Sequence, residues 1–128
     1  MTSTIAESQG KNNDLAKSLG VISKTVPSVD EDTITLATSA GKIALDRFLA
    51  NGGIVNDIDT LFIGSESHPY AVKPSGTVAK TALGLSDFLS MADLQFACKA
   101  GSQSLQTAVA YVQAGMSKSA MAIGADTA

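Results

Sequence analysis

The sequence predicts an α/β fold in which a parallel-rich sheet is covered by helices. Three observations predict it. Segments of helical apolar periodicity alternate with short apolar runs in the order helix, strand, helix, strand, helix, strand. The run Thr60-Leu-Phe-Ile-Gly64 is apolar almost throughout, as a strand buried on both faces of a parallel sheet is. The residues with the most chemistry, Glu66, His68 and Cys98, all fall just after a predicted strand. Ligands bind off the carboxyl ends of the strands in open α/β sheets.

The elements follow in order. Residues 1–13 are polar and read as a flexible lead-in. Asp14-Leu-Ala-Lys-Ser-Leu-Gly20 has the form of a short helix closed by glycine. Val21 to Val26 is extended, because Pro27 keeps the residue before it out of the helical region. Ser28 with Glu31 has the capping-box form and predicts a helix start there, with Asp30, Glu31 and Asp32 on the positive end of the dipole. Its apolar stripe is Ile34, Ala37, Ala40, Ala44 and Phe48, widened by Leu36, Ile43 and Leu45, and Asn51-Gly-Gly53 ends it. A turn at Asp57-Ile-Asp59 leads into the strand Thr60–Gly64, and the loop from Ser65 to Pro74 follows. Ser75–Leu85 reads as a helix, Met91–Ala97 as a strand and Lys99–Gly115 as a long helix with Leu105, Ala108, Val109 and Val112 on one face. Ser119–Gly124 is the last strand. The pattern opens on a helix without a strand before it and stops just past a strand without its helix. The expected organisation is therefore a flexible lead-in, 1–13, and a partial domain, 14–128, that is a piece of a larger subunit.

Composition narrows the function. The chain has 128 residues, 45% hydrophobic and 16% charged, which is globular and not disordered. A net charge of −3 without a basic block argues against nucleic acid, and 5% aromatics give no stacking platform. No apolar run is long enough to span a bilayer, and the N-terminus has no basic region followed by an apolar core. One cysteine with one histidine makes a poor metal site, and one cysteine makes no internal disulfide. A cytoplasmic setting without a bound cofactor or metal is the expectation. Phosphate-loop, dinucleotide and nucleophile-elbow motifs are all absent.

Cys98 carries the sharpest signal. A cysteine at a strand-to-helix junction meets the unpaired N–H groups of a helix start, which favour the thiolate, its reactive form. The alternative is a buried cysteine acting as a small hydrophobe. Ala100 and Gly101 leave room for an acyl group beside backbone oxyanion donors. Glu66 is a general acid/base candidate or a solvated loop carboxylate. His68, beside Pro69, is a titrating group or a residue that fixes its loop, and Ser65 and Ser67 read as turn formers.

Four blocks agree in order and spacing with one family. Val26-Pro-Ser-Val-Asp-Glu-Asp-Thr33, Gly64-Ser-Glu-Ser-His-Pro-Tyr-Ala-Val-Lys-Pro74, Asp93-Leu-Gln-Phe-Ala-Cys-Lys-Ala-Gly101 and Ala122-Ile-Gly-Ala-Asp-Thr-Ala128 resemble the archaeal-type hydroxymethylglutaryl-CoA synthases, of the thiolase superfamily. The resemblance implies a thiolase-like layered fold, of which this chain is part of the first half. It implies that Cys98 takes an acetyl group from acetyl-CoA and that Glu66 acts as general base and acid. The acetyl carbanion then attacks acetoacetyl-CoA, and hydrolysis releases 3-hydroxy-3-methylglutaryl-CoA for isoprenoid synthesis. It also implies a homodimer, and a complex with acetoacetyl-CoA thiolase and a zinc-containing bridging protein. Coenzyme A is a substrate carrier; Lys73, Lys80 and Lys99 are candidates for its phosphates or plain surface lysines.

Two departures accompany the resemblance. The family's catalytic histidine lies in the second half of the subunit, and His68 is not its counterpart. The first core strand, expected before Asp14, is missing too, so the chain alone is expected to be inactive. Two other readings remain open: a ketoacyl-acyl-carrier-protein synthase III-like condensing enzyme, which needs no base at the position of Glu66, and a non-catalytic scaffold domain of an acyltransferase assembly.

Overall fold

Strand β1 (Ile58–Gly64) is the spine of the molecule. Six of its seven residues are buried, Leu61 and Ile63 completely, so it is covered on both faces. β2 (Ser90–Leu94) and β3 (Ser119–Gly124) pair with it on either side, both parallel, in the order β2-β1-β3. The computed structural model describes residues 25–127 together with Gly20. The lead-in 1–13, the short helix expected up to Gly20 and most of the extended run after it lie outside the described residues.

Helix α1 (Thr33–Ala50) packs on α2 (Ser75–Ala82), and α3 (Ala100–Gln113) packs on β1 and β3. The core is aliphatic: Leu45 and Ala37 of α1 and Ala79 of α2 meet Leu61, Ile63, Met121 and Ile123 of the sheet, closed off by Leu83, Leu85 and Leu89. Each large side chain fully buried here contributes about 1.5–3 kcal/mol. This is the parallel, helix-covered sheet that the alternation of patterns predicts.

The element bounds differ from expectation in instructive ways. Helix α1 begins at Thr33 and not directly after Ser28. Ser28 and Glu31 do bond as expected, Ser28 N–H donating to Glu31 Oε2 at 2.7 Å, but within a turn that precedes the helix. The true cap is Asp32, whose Oδ1 accepts from Thr35 N–H while Thr35 Oγ1 accepts from Asp32 N–H, each at 2.8 Å. The buried stripe is Ile34, Ala37, Gly41 and Leu45, whereas Ala40, Ile43 and Ala44 face outward. Gly41 accompanies the rotation: a Cβ there would stand 2.8 Å from Leu83 Cδ1 and 3.1 Å from Ile123 Cδ1, so glycine lets these two side chains pack against the helix without shifting.

Strand β2 stops at Leu94, three residues before the expected Ala97, because the chain turns as it leaves the sheet; Ala97 has φ +44°. Helix α3 shows its small face inward. Ala100, Ser104 and Ala108 are buried, while Leu105, Val109 and Val112 of the expected core face are exposed. They border a cavity of 480 Å³ along the edge of β3 that no strand among the described residues pairs with, together with Ala44 and Phe48 of α1. Among the described residues no helix is long and apolar enough to cross a membrane.

Candidate active site

Three loops meet at the carboxyl ends of the strands. Ser65 to Ser67 follow β1, Cys98 follows β2, and Ala125 to Thr127 follow β3. The central strand holds its two neighbours so that the first residues past each end lie side by side: Ser65 N–H donates to Leu94 O at 3.0 Å, and Ala125 N–H to Gly64 O at 3.2 Å.

Cys98 stands just before the Lys99 cap of α3, on the tight turn closed by Lys99 N–H to Phe96 O and Ala100 N–H to Ala97 O, each 3.0 Å. The left-handed Ala97 turns the chain here, a conformation that costs a non-glycine residue about 1–2 kcal/mol. The thiol is exposed in this chain and is not packed as a small hydrophobe among the described residues. No side chain caps α3, so its leading N–H groups are free of side-chain acceptors. Cys98 Sγ lies 3.9 Å from Glu66 Oε1, and Glu66 is exposed as well. A thiol at a helix start facing a carboxylate can form a thioester within reach of a base. The structure brings together the two residues that the sequence singles out from 32 positions apart.

Glu66 is held through its backbone. Asp126 Oδ1 accepts from Glu66 N–H at 2.8 Å, from Ser65 Oγ at 2.8 Å and from Ser67 Oγ at 3.1 Å. Burial works to raise the pKa of this carboxyl, but the donated hydrogen bonds of Glu66, Ser65 and Ser67 outweigh it and hold the group below the ordinary aspartate value. Thr127 N–H donates to Ser67 Oγ at 3.0 Å. Thr33, fully buried at the start of α1, donates from Oγ1 to Ser67 O at 2.7 Å. Ser65 and Ser67, read from sequence as turn formers, are members of this cluster. Asp126 and Thr33 escape sequence reasoning; the one available signal is that Asp126 falls two residues past β3, as Glu66 does past β1.

His68 sits apart from this pair. Its Nδ1 is 2.8 Å from Ser75 Oγ and 3.7 Å from Asp93 Oδ2, and its Nε2 is buried without a hydrogen-bond partner among the described residues. Asp93 in turn accepts from the backbone N–H groups of Ser75 at 2.5 Å and Gly76 at 3.0 Å, capping α2. The ring fixes the loop, one of its two readings, beside a cleft of 660 Å³ bordered by Tyr70, Lys73, Asp93 and Gln95. Of the three lysines, Lys80 is mostly buried and bonded to Asp87, so it is not free for a phosphate. Lys73 and Lys99 lie over the rings of Tyr70 and Phe96, at 5.7 and 5.4 Å from the ring centroids.

No family model matches the sequence. A hydroxymethylglutaryl-CoA synthase from Methanosphaera stadtmanae is 49% identical over 113 residues, 88% of this chain and 32% of the relative. The chain thus spans about a third of the length of the curated relatives it matches. Among solved structures, MvaS in complex with 3-hydroxy-3-methylglutaryl coenzyme A superposes over 90% of this chain and 27% of that one, with TM-score 0.71 and 24% identity. A β-ketoacyl-acyl-carrier-protein synthase III from Thermus thermophilus covers 99% of this chain and 39% of its own, with TM-score 0.77 and 22% identity. At such identities these two establish the fold, which is that of the thiolase-like condensing enzymes. The relative from Methanosphaera carries the sequence likeness, and the resemblance to archaeal hydroxymethylglutaryl-CoA synthases is borne out.

Proposed function

We propose that this chain is the nucleophile-bearing part of a hydroxymethylglutaryl-CoA synthase, an acyltransferase that condenses acetyl-CoA with acetoacetyl-CoA. The observation that carries the proposal is the approach of Cys98 Sγ to Glu66 Oε1, 3.9 Å, at the carboxyl end of the sheet, in a chain 49% identical over 113 residues to such a synthase.

The Cys98 thiol gives up its proton and attacks the acetyl thioester, the carbon–sulfur bond to coenzyme A breaks, and coenzyme A leaves as the thiol by taking up the proton that Cys98 released. The acetyl group is now held on Cys98. Glu66 takes a proton from its methyl, which the thioester carbonyl acidifies, and backbone N–H groups near the start of α3 stabilise the enolate oxygen. The carbanion attacks the ketone carbon of acetoacetyl-CoA, and the ketone oxygen takes up the proton that Glu66 removed from the methyl, which returns Glu66 to its carboxylate. Water then hydrolyses the thioester, returning the Cys98 thiol and releasing 3-hydroxy-3-methylglutaryl-CoA. Dividing the condensation into covalent steps lowers each barrier. Glu66 favours this reading over a synthase III-like enzyme, whose second substrate loses carbon dioxide and needs no base there.

The histidine that orients acetoacetyl-CoA is supplied by sequence outside this chain, so the 128-residue chain alone does not turn over. The complete protein is a cytoplasmic homodimer working beside acetoacetyl-CoA thiolase and a zinc-containing bridging protein, and needs no cofactor beyond its coenzyme A thioesters. The test is Glu66→Ala in the complete polypeptide. Acetylation of Cys98 by acetyl-CoA survives, and condensation falls by about 10²-fold or more. Condensation at the wild-type rate would overturn the role of Glu66.

A further inference from the structure

We infer that Thr33 is a positioning residue for Glu66, acting through the Ser67 backbone; the inference rests on the reading of Glu66 given above. Thr33 is the first residue of α1, yet its hydroxyl takes no part in capping that helix, because Asp32 and Thr35 satisfy each other. The side chain is fully buried. A hydroxyl there costs free energy unless it is bonded, and valine would fill the same volume without that cost. The hydroxyl is bonded instead 34 residues away, to Ser67 O at 2.7 Å, with Ser67 Oγ at 2.8 Å.

That contact complements the grip of Asp126. Asp126 takes donors from Ser65, Glu66 and Ser67, all on one side of the loop. Thr33 takes the carbonyl, which Asp126, as an acceptor, cannot hold. Asp126 fixes the Ser65–Glu66 peptide, Ser67 N–H donating to Ser65 Oγ at 3.0 Å holds the Glu66–Ser67 peptide, and Thr33 fixes the Ser67–His68 peptide that closes the series. Without Thr33 the Ser67–His68 peptide is free to rotate, and the exposed Glu66 side chain shifts relative to Cys98. A misplacement of about 1 Å costs as much as 10²-fold in rate. Cys98 is on another loop, so its own acylation does not depend on Thr33.

The experiment uses the complete polypeptide and follows two rates: acetylation of Cys98 from acetyl-CoA, and condensation with acetoacetyl-CoA. Thr33→Val keeps acetylation within about twofold and lowers condensation about tenfold, and Thr33→Ser restores it, because the hydroxyl is what matters. Added to Glu66→Ala, Thr33→Val has no further effect. If Thr33→Val does not fold, Thr33→Ala, which removes the same hydroxyl and leaves every Ser67 contact to Asp126 in place, gives the same split between the two rates. Condensation unchanged in Thr33→Val, a fall of both rates together, or no rescue by serine overturns the inference while leaving Glu66 in its role. Condensation unchanged in Glu66→Ala overturns the role of Glu66 and this inference with it.

Discussion

At the residue scale, Asp126 does the most for its size: one carboxylate oxygen ties three consecutive residues of another loop. Its folded-state pKa is below the unfolded one, so its stabilisation is present above the unfolded value and is lost as pH falls through the folded value. The wild type should therefore resist urea better than Asp126→Asn near neutrality, and the gap should close in acid, below about pH 4. A set of urea midpoints between neutral and acidic pH checks this; a gap that does not change with pH contradicts it. Cys98 and Glu66 were legible in the sequence because each is a reactive residue type just past a predicted strand. Asp126 was not, since its partners lie about 60 residues back and an aspartate past a strand looks like any solvated chain end.

At the element scale, helix α3 lies so close to the sheet that backbone meets backbone. A Cβ on Gly64 would stand 2.2 Å from Ala100 O, and one on Gly124 would stand 3.1 Å from the Cα of Gly101. Gly64→Ala must push the first turn of α3 away from β1, at a cost of about 1–3 kcal/mol. Chemical denaturation measures that loss, and a slower acetylation of Cys98 reports the displaced helix start. The same closeness explains where periodicity misled. Among the described residues the existence and order of the long helices and of the strands match the expectation, and β3 does so to the residue. On α1 the expected Ile34, Ala37 and Leu45 are buried, but Gly41 joins them and Ala40 and Ala44 do not; on α3 only Ala108 of the expected face turns inward, beside Ala100 and Ser104, because periodicity weighs large apolar side chains and passes over small residues where helix and sheet touch closely. Leu105, Val109 and Val112 are left on the outside.

At the scale of the whole molecule, those exposed side chains and that edge of β3 form an apolar surface of the kind that drives association. The isolated chain is expected to self-associate as its concentration rises, and Leu105→Glu with Val109→Lys to reduce this, both read by sedimentation. An unchanged association would place the contact elsewhere. The strand order carries one more consequence. From β1 the chain passes to β2 on one side and returns across to β3 on the other. Glu66, Cys98 and Asp126 therefore become neighbours only when all three strands are in register, across separations of 32 and 60 residues. No local stretch can form this cluster by itself. During refolding, a label on Cys98 would stay silent while helices form, sense the Glu66 carboxylate once β2 pairs with β1, and reach its final signal only when β3 docks and brings Asp126 onto the Glu66 backbone. The same constellation that serves chemistry would then serve as a clock for the completion of the fold.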